Sequence, residues 1–166
     1  MIRHRAHSIS TPARRFAARR GFSLLELVIV VAIIATVSAL AIPRYVSALN
    51  RYRAGALAQR IVADLNYIAA DAKASSAERW VWFVPDQWYL AISAPDPNRT
   101  NDSYYLVQTS LEPYRAYILK VSFEGEQTFT FDGYGKPDRS GTIVVGSGDE
   151  TRTITLDKAT GKASVQ

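Results

Sequence analysis

The residues best equipped for chemistry are scarce and poorly placed for it. Cysteine is absent from the 166 residues, and the two histidines, His4 and His7, both lie within the first ten. Disulfides, thiolate nucleophiles and cysteine-bound metals are therefore excluded throughout. Histidine relays and the usual zinc sets are excluded beyond His7. Carboxylates remain. Glu124/Glu126 and Asp149/Glu150 are close pairs near turn residues, but without a histidine or a nucleophile motif they read as solvated surface. Asp96, Asn98 and Asp102 share one loop and offer oxygen ligands of the kind calcium takes. That loop lacks the glycine and terminal glutamate of an EF-hand and is stiffened by Pro97, so a solvated turn is expected and no metal or cofactor is assigned. Asn98-Arg99-Thr100 fits a glycosylation acceptor, a frequent chance match. The expectation is a protein that is not an enzyme.

One carboxylate stands apart. Glu26 lies inside Phe22–Ile42, FSLLELVIVVAIIATVSALAI, where 17 of 21 residues are apolar. A helix of that length spans about 32 Å, close to the hydrocarbon thickness of a bilayer. A buried soluble helix seldom stays apolar on every face for so long. A carboxylate at the bilayer centre costs about 2–3 kcal/mol, less near the interface, and such a residue is by default functional.

The positive charge is equally localised. Residues 1–21 hold six arginines and no acid, whereas the rest of the chain carries fourteen basic and fifteen acidic residues, a net of −1. The formal charge of +5 therefore belongs to the N-terminal segment and not to the body. Arginines before an apolar span place the N-terminus in the cytoplasm and the body across the membrane. A cleaved secretory signal fits poorly: its apolar stretch is shorter, and Pro43-Arg44-Tyr45 follows where a small-residue site belongs.

The run Arg19-Arg20-Gly21-Phe22-Ser23-Leu24-Leu25-Glu26-Leu27, continued by apolar residues, resembles the start of a type IV prepilin or pseudopilin. The resemblance implies cleavage between Gly21 and Phe22 by a membrane-embedded prepilin peptidase, methylation of the new Phe22 amine, and a leader of residues 1–21. It also implies assembly into a filament. Physical chemistry fits: a free amine on Phe22 sits four residues from Glu26, and a paired carboxylate is tolerated in a low-dielectric helix bundle where an unpaired one is not. Glu26 of an incoming subunit is thus expected to neutralise a neighbour's amine and fix the axial register. The bland alternative is Glu26 snorkelling to the headgroups.

Pro43 ends the apolar run, and a bend is expected there. Val46, Leu49, Leu57, Ile61, Leu65, Ile68 and Ala72 then recur at helical spacing, with Arg51, Arg60, Asp64, Asp71 and Lys73 mostly between them. This predicts an amphipathic helix with one buried stripe, Arg60 and Asp64 forming a minor pair one turn apart. The helix fades at Ala74-Ser75-Ser76. Beyond Glu78, short β runs alternate with turns. Strands are expected over Arg79–Val84, Trp88–Ser93, Tyr104–Thr109, Ala116–Phe123, Gln127–Asp132, Thr142–Gly146, Arg152–Asp157 and Lys162–Gln166. Pro85-Asp86 and Thr160-Gly161 read as tight turns.

The stretch Phe129–Pro137, FTFDGYGKP, followed by Gly141–Val145 and by Arg152–Leu156 with Thr160-Gly161-Lys162, is similar to the GspH/FimT family of minor pseudopilins and pilins. Some related minor pilins bind DNA, and Trp80, Trp82, Trp88, Tyr89, Tyr104, Tyr105, Tyr114 and Tyr117 do interleave with Arg79, Arg99, Arg115 and Lys120. Aromatics beside cations can stack single strands. The near-neutral body argues against it, because backbone affinity needs concentrated positive charge.

The expected architecture is α+β: a type IV pilin-like fold with a long N-terminal helix packed on an antiparallel β-sheet domain. Its segments are a cleaved leader (1–21), a transmembrane and polymerisation helix (22–42), an amphipathic continuation (43–77) and a β-rich domain (78–166). The resemblance implies a single-pass protein of the bacterial inner membrane with a periplasmic C-terminal domain. Its expected partners are other pilin or pseudopilin subunits, prepilin peptidase, the inner-membrane assembly platform and membrane lipid. Two alternatives stay open: a DNA-binding minor pilin, and a membrane-anchored periplasmic binding domain that never polymerises.

Overall fold

The computed structural model describes residues 21–97 and 104–166. Residues 1–20 of the expected leader, and Asn98, Arg99, Thr100 and Asp102 of the expected loop, lie outside the described residues. One helix precedes eight strands: α1 (Leu24–Ser75), β1 (Arg79–Val84), β2 (Trp88–Ile92), β3 (Tyr104–Gln108), β4 (Tyr117–Ser122), β5 (Thr128–Phe131), β6 (Gly141–Ser147), β7 (Glu150–Leu156) and β8 (Ala163–Val165). The arrangement is α+β, as expected from the sequence, and each expected strand is present with its ends moved by at most two residues.

The chain divides into two compact units, Met1–Ala39 and Leu40–Gln166. The boundary falls in the turn before Pro43, where proline takes away one helical backbone donor. α1 nevertheless continues through Pro43. In the first unit the described residues are almost wholly exposed and apolar, and the most apolar window of α1 has a mean hydropathy of 2.7.

The second unit has its own core. Ala54, Leu57, Ala58, Ile61, Leu65, Ile68 and Ala72 of α1 are buried at three- and four-residue spacing. Burial of Leu57, Ile61, Leu65 and Ile68 contributes on the order of 6–12 kcal/mol before chain entropy. The stripe starts later than the periodicity suggested, because Val46 is exposed and Leu49 only half-buried.

The strands form two four-stranded sheets rather than one, in the orders β3-β2-β1-β5 and β4-β6-β7-β8, with every neighbouring pair antiparallel. Their inner faces and the helix stripe share one core. Phe83, Phe123, Phe129 and Phe131 run through it as a chain of ring contacts 5.7, 4.5 and 5.0 Å apart.

The outer faces differ. On β6, β7 and β8 the outward positions are mainly Thr142, Thr151, Thr153, Thr155 and Ser164, as a solvated sheet face requires. The β3-β2-β1 face instead presents cross-strand rows Trp80–Ile92–Tyr104 and Trp82–Leu90–Leu106.

The DGYGKP turn after β5 has a clear physical cause. Asp132 Oδ1 accepts the backbone N–H groups of Tyr134 (2.9 Å) and Lys136 (2.8 Å), and the Gly135 N–H bonds the Asp132 carbonyl at 2.9 Å. Gly135 has φ +75°, and a Cβ there would stand 2.5 Å from the Ala69 carbonyl oxygen of α1. Only glycine lets this turn close against the helix backbone.

Candidate functional site

The chemistry-bearing segment of the first unit starts at Gly21. Among the described residues, no atom beyond its chain neighbour stands within 4 Å of where a Gly21 Cβ would be, so none of them packs against that position. Phe22 is 83% exposed, and it precedes α1 with Ser23, so the helix begins two residues later than the apolar run. The first helical bond recorded there runs from the Leu27 N–H to the Ser23 carbonyl at 3.1 Å. Glu26 falls in the first turn, where free backbone N–H groups favour an anion.

Leu24, Leu25, Leu27 and Val28 around Glu26 are all more than half exposed. An apolar surface open on all sides of a helix is stable only in lipid or against other helices. Glu26 therefore lies at the N-terminal end of the apolar part of α1, four residues after Phe22 and away from the middle of that run.

In the second unit the structure reveals a polar cluster inside the core. Asp64, in line with Ile61 and Ile68 on the buried stripe, is itself buried. Its Oδ2 accepts the Tyr89 hydroxyl, the Tyr105 hydroxyl at 3.0 Å and the Arg60 Nε–H at 3.0 Å. Arg60 also donates to the Tyr105 hydroxyl. Burial, then the Asp64 charge, pushes Tyr105 up to about 12 and Tyr89 well above its ordinary value. For Arg60, burial opposes the charge, but the bonds to Tyr105 and Asp64 outweigh it and raise the pKa.

The expected Arg60–Asp64 pair is present, but Asp64 is not between the apolar positions: position 64 follows Ile61 by three residues and precedes Ile68 by four, which puts it on the buried stripe. The cluster binds α1 to β2 and β3. It is satisfied within itself, which suits a positioning role in the fold. The adjoining open cleft of about 520 Å³ is lined by Arg60, Tyr105, Gln108 and Tyr114, so its arginine is already committed.

Arg79 is likewise spoken for. It is buried and donates to Asp71 Oδ2 at 2.6 Å, to Ser75 Oγ at 2.7 Å and to the Glu78 carbonyl at 3.0 Å, closing the C-terminal end of α1. Arg51 meets Glu150 at 3.2 Å, and that bond holds the Glu150 carboxyl below its ordinary range.

These placements separate the aromatic residues of the sequence into two groups. Tyr89 and Tyr105 belong to the core, and Trp80, Trp82 and Tyr104 to an outer sheet face. Arg79 pairs with Asp71, and Arg115 with Glu112 at 2.6 Å. Of the cations expected beside the aromatics, Lys120 is exposed on β4, and Arg99 lies outside the described residues. Among the described residues no three His, Cys, Asp or Glu side chains gather as a metal set would.

No curated protein and no solved structure matches this chain. Residues 17–42 match the model of the prokaryotic N-terminal methylation motif. That segment is the type IV prepilin-like signal, and together with the long apolar helix it supports a membrane-anchored, type IV pilin-like protein.

Proposed function

We propose that the chain is a minor pilin or pseudopilin, a structural subunit cut between Gly21 and Phe22, methylated on Phe22 and polymerised through α1. The observation that carries this reading is Glu26: an acid in the first turn of α1, whose residues from there to Ile42 are otherwise uncharged and almost wholly exposed, inside a matched methylation motif. The amine freed on Phe22 of one subunit is the partner that makes such an acid tolerable in a packed helix bundle. Because apolar helices slide easily, a buried ion pair satisfied at one stagger acts as a registry device.

Pro43 serves as the bend between the membrane half and the periplasmic half. The similarity of FTFDGYGKP and its following strands to GspH/FimT proteins supports a minor subunit of a type II secretion pseudopilus or a type IV pilus. The DNA-receptor reading receives less support, because Arg79 and Arg115 are paired with acids and two of the tyrosines belong to the core.

The test is expression of the full chain with and without a prepilin peptidase, followed by N-terminal sequencing by mass spectrometry. A mature chain starting at N-methylated Phe22, seen only with the peptidase, is the expected result. A different start, or no processing, overturns the reading.

A further inference from the structure

The two sheets obey different rules on their outward faces. An antiparallel sheet with one wet face alternates apolar inside and polar outside. The β4-β6-β7-β8 sheet follows this pattern over β6, β7 and β8 with its threonine rows, while at its β4 edge Tyr117 and Leu119 are exposed singly beside Lys120. The β3-β2-β1-β5 sheet follows it on the core side only. Outward from the core, Trp80 pairs across to Ile92 and Ile92 to Tyr104; Trp82 pairs to Leu90 and Leu90 to Leu106. Trp88 adds an edge-on contact with Trp82, ring centroids 5.7 Å apart. The face ends in the neutral side chains Thr128, Thr130 and Gln108, so none of its outward positions is charged.

These residues are not incidental exposure. Trp80 is 51% exposed, Trp82 47% and Tyr104 48%, and they adjoin one another. Half-exposed aromatics offer roughly 100 Å² each, and with the aliphatic members the face presents on the order of 500–600 Å², the upper end for a monomer's largest patch.

We infer that this face is a self-association surface that a second copy of the same chain covers, sheet face to sheet face, about a two-fold axis near Leu90. Two such faces would bury about 1,000–1,200 Å² in total, the size of a weak association just short of the stable range, which tethering both copies to one membrane would strengthen. An uncharged face is one that an identical copy meets without like-charge repulsion, and isologous pairing is the commonest symmetry of association. Two twisted sheets with apolar faces pack as a sandwich about 10 Å apart, which completes for this sheet what α1 does on its other side. The inference rests on the membrane-anchored reading but stands apart from the Glu26 pairing, since the contact itself uses only the β domain.

The natural chain has no cysteine, so a single introduced thiol reports contacts cleanly. The full-length Leu90→Cys chain is oxidised in its own membranes and compared with Lys158→Cys, on a turn of the other sheet. A covalent adduct of twice the chain mass from Leu90→Cys, at least fivefold above Lys158→Cys and retained in a Glu26→Ala background, is expected. Adding Trp80→Ser and Trp82→Ser should reduce it at least fivefold, with near-ultraviolet circular dichroism verifying the fold. Gln108→Cys, at the rim of the face and so held apart from its symmetry mate by an axis near Leu90, is carried in parallel with a bismaleimide long enough to span two rim positions, so that misfolding of the Leu90 variant does not decide the matter. No dimer from either position, equal adducts from Lys158→Cys, or an adduct of another mass overturns the inference, the last assigning the face to a different protein.

Discussion

The Tyr105 hydroxyl, on β3, donates to Asp64 Oδ2, on α1, at 3.0 Å inside the core. Tyr89 brings a second hydroxyl to the same oxygen, and Arg60 a guanidinium N–H. Such a cluster joins helix to sheet at one angular setting, because each member is left unsatisfied if the helix turns or slides. Replacing Asp64 by alanine therefore strands two buried hydroxyls and removes the arginine's partner. An expected loss of about 2–3 kcal/mol follows, less than for a fully buried ion pair because Arg60 retains access to water. Exposed Asn66→Ala on the same helix should stay within about 0.5 kcal/mol. Chemical denaturation of the full chain in detergent distinguishes the two; equal, small effects would show that the cluster does not hold the helix.

The same cluster sets an alkaline limit. Tyr105 and Tyr89 have raised pKa values in the folded chain, from burial first and the Asp64 carboxylate second. A raised pKa means that the folded state holds its protons more tightly than the unfolded chain does. This contribution is fully present below the ordinary tyrosine value near 10 and is lost as pH rises toward the Tyr105 value of about 12. Stability should fall between pH 10 and 12, and the fall should be shallower in Tyr105→Phe. Thermal melts across that range, corrected for chemical damage, provide the check.

Gly135 gives a prediction about the loop that follows β5. With φ +75° and the Ala69 carbonyl 2.5 Å from the position of a Cβ, Gly135→Ala meets both backbone strain and a backbone clash. The expected loss is about 2 kcal/mol or more. Gly125 provides the contrast: φ is +100° but nothing stands within 4 Å, so Gly125→Ala suffers strain alone, about 1 kcal/mol. If both variants lose the same stability, the close approach to α1 is not what matters at Gly135.

Much of the fold was legible because its signals are local. The strand run Arg79–Val84 alternates buried and exposed positions residue by residue, and Pro85-Asp86 supplies a turn in which Asp86 has φ +62°. Thr160-Gly161 closes the last hairpin, with φ +71° at Gly161. Division into two sheets was not legible, because pairing of β1 with β5, across three intervening strands, depends on contacts that no local pattern reports. Asp64 was misread for a different reason: its chemistry argues for the surface while its spacing argues for the core, and tyrosines distant in sequence decide between them. The Trp80 and Trp82 face was visible as a cluster of aromatics, yet period-two alternation alone did not say which side of β1 met the helix.

Gly21 and Phe22 separate recognition from folding. Since among the described residues nothing packs against the position a Gly21 Cβ would take, Gly21→Ala should leave the fold of residues 40–166 untouched. On the proposed reading it should nevertheless abolish processing, the requirement for glycine being that of the peptidase. An unshifted precursor on a gel, with unchanged thermal unfolding, is the expected pair of results. Normal processing of Gly21→Ala would remove cleavage at this glycine from the account.

Glu26 is where membrane cost and assembly meet. On the proposed reading, the carboxylate of an isolated subunit would lie near the end of the span, where the cost is below the about 2–3 kcal/mol of the bilayer centre. In a filament the helices pack away from lipid headgroups and water, so the acid must either meet a cation or be protonated. Glu26→Ala removes the cost in the single subunit and removes the partner of the neighbour's Phe22 amine. Processing should therefore continue at close to the normal rate while incorporation into filaments falls at least tenfold. Glu26→Gln, which keeps a hydrogen-bond acceptor without the charge, should incorporate at an intermediate level. Quantitative immunoblotting of sheared filament fractions against membrane fractions reads both numbers. If Glu26→Ala is processed and enters filaments as the natural chain does, the acid is a headgroup-seeking residue and no registry pair exists.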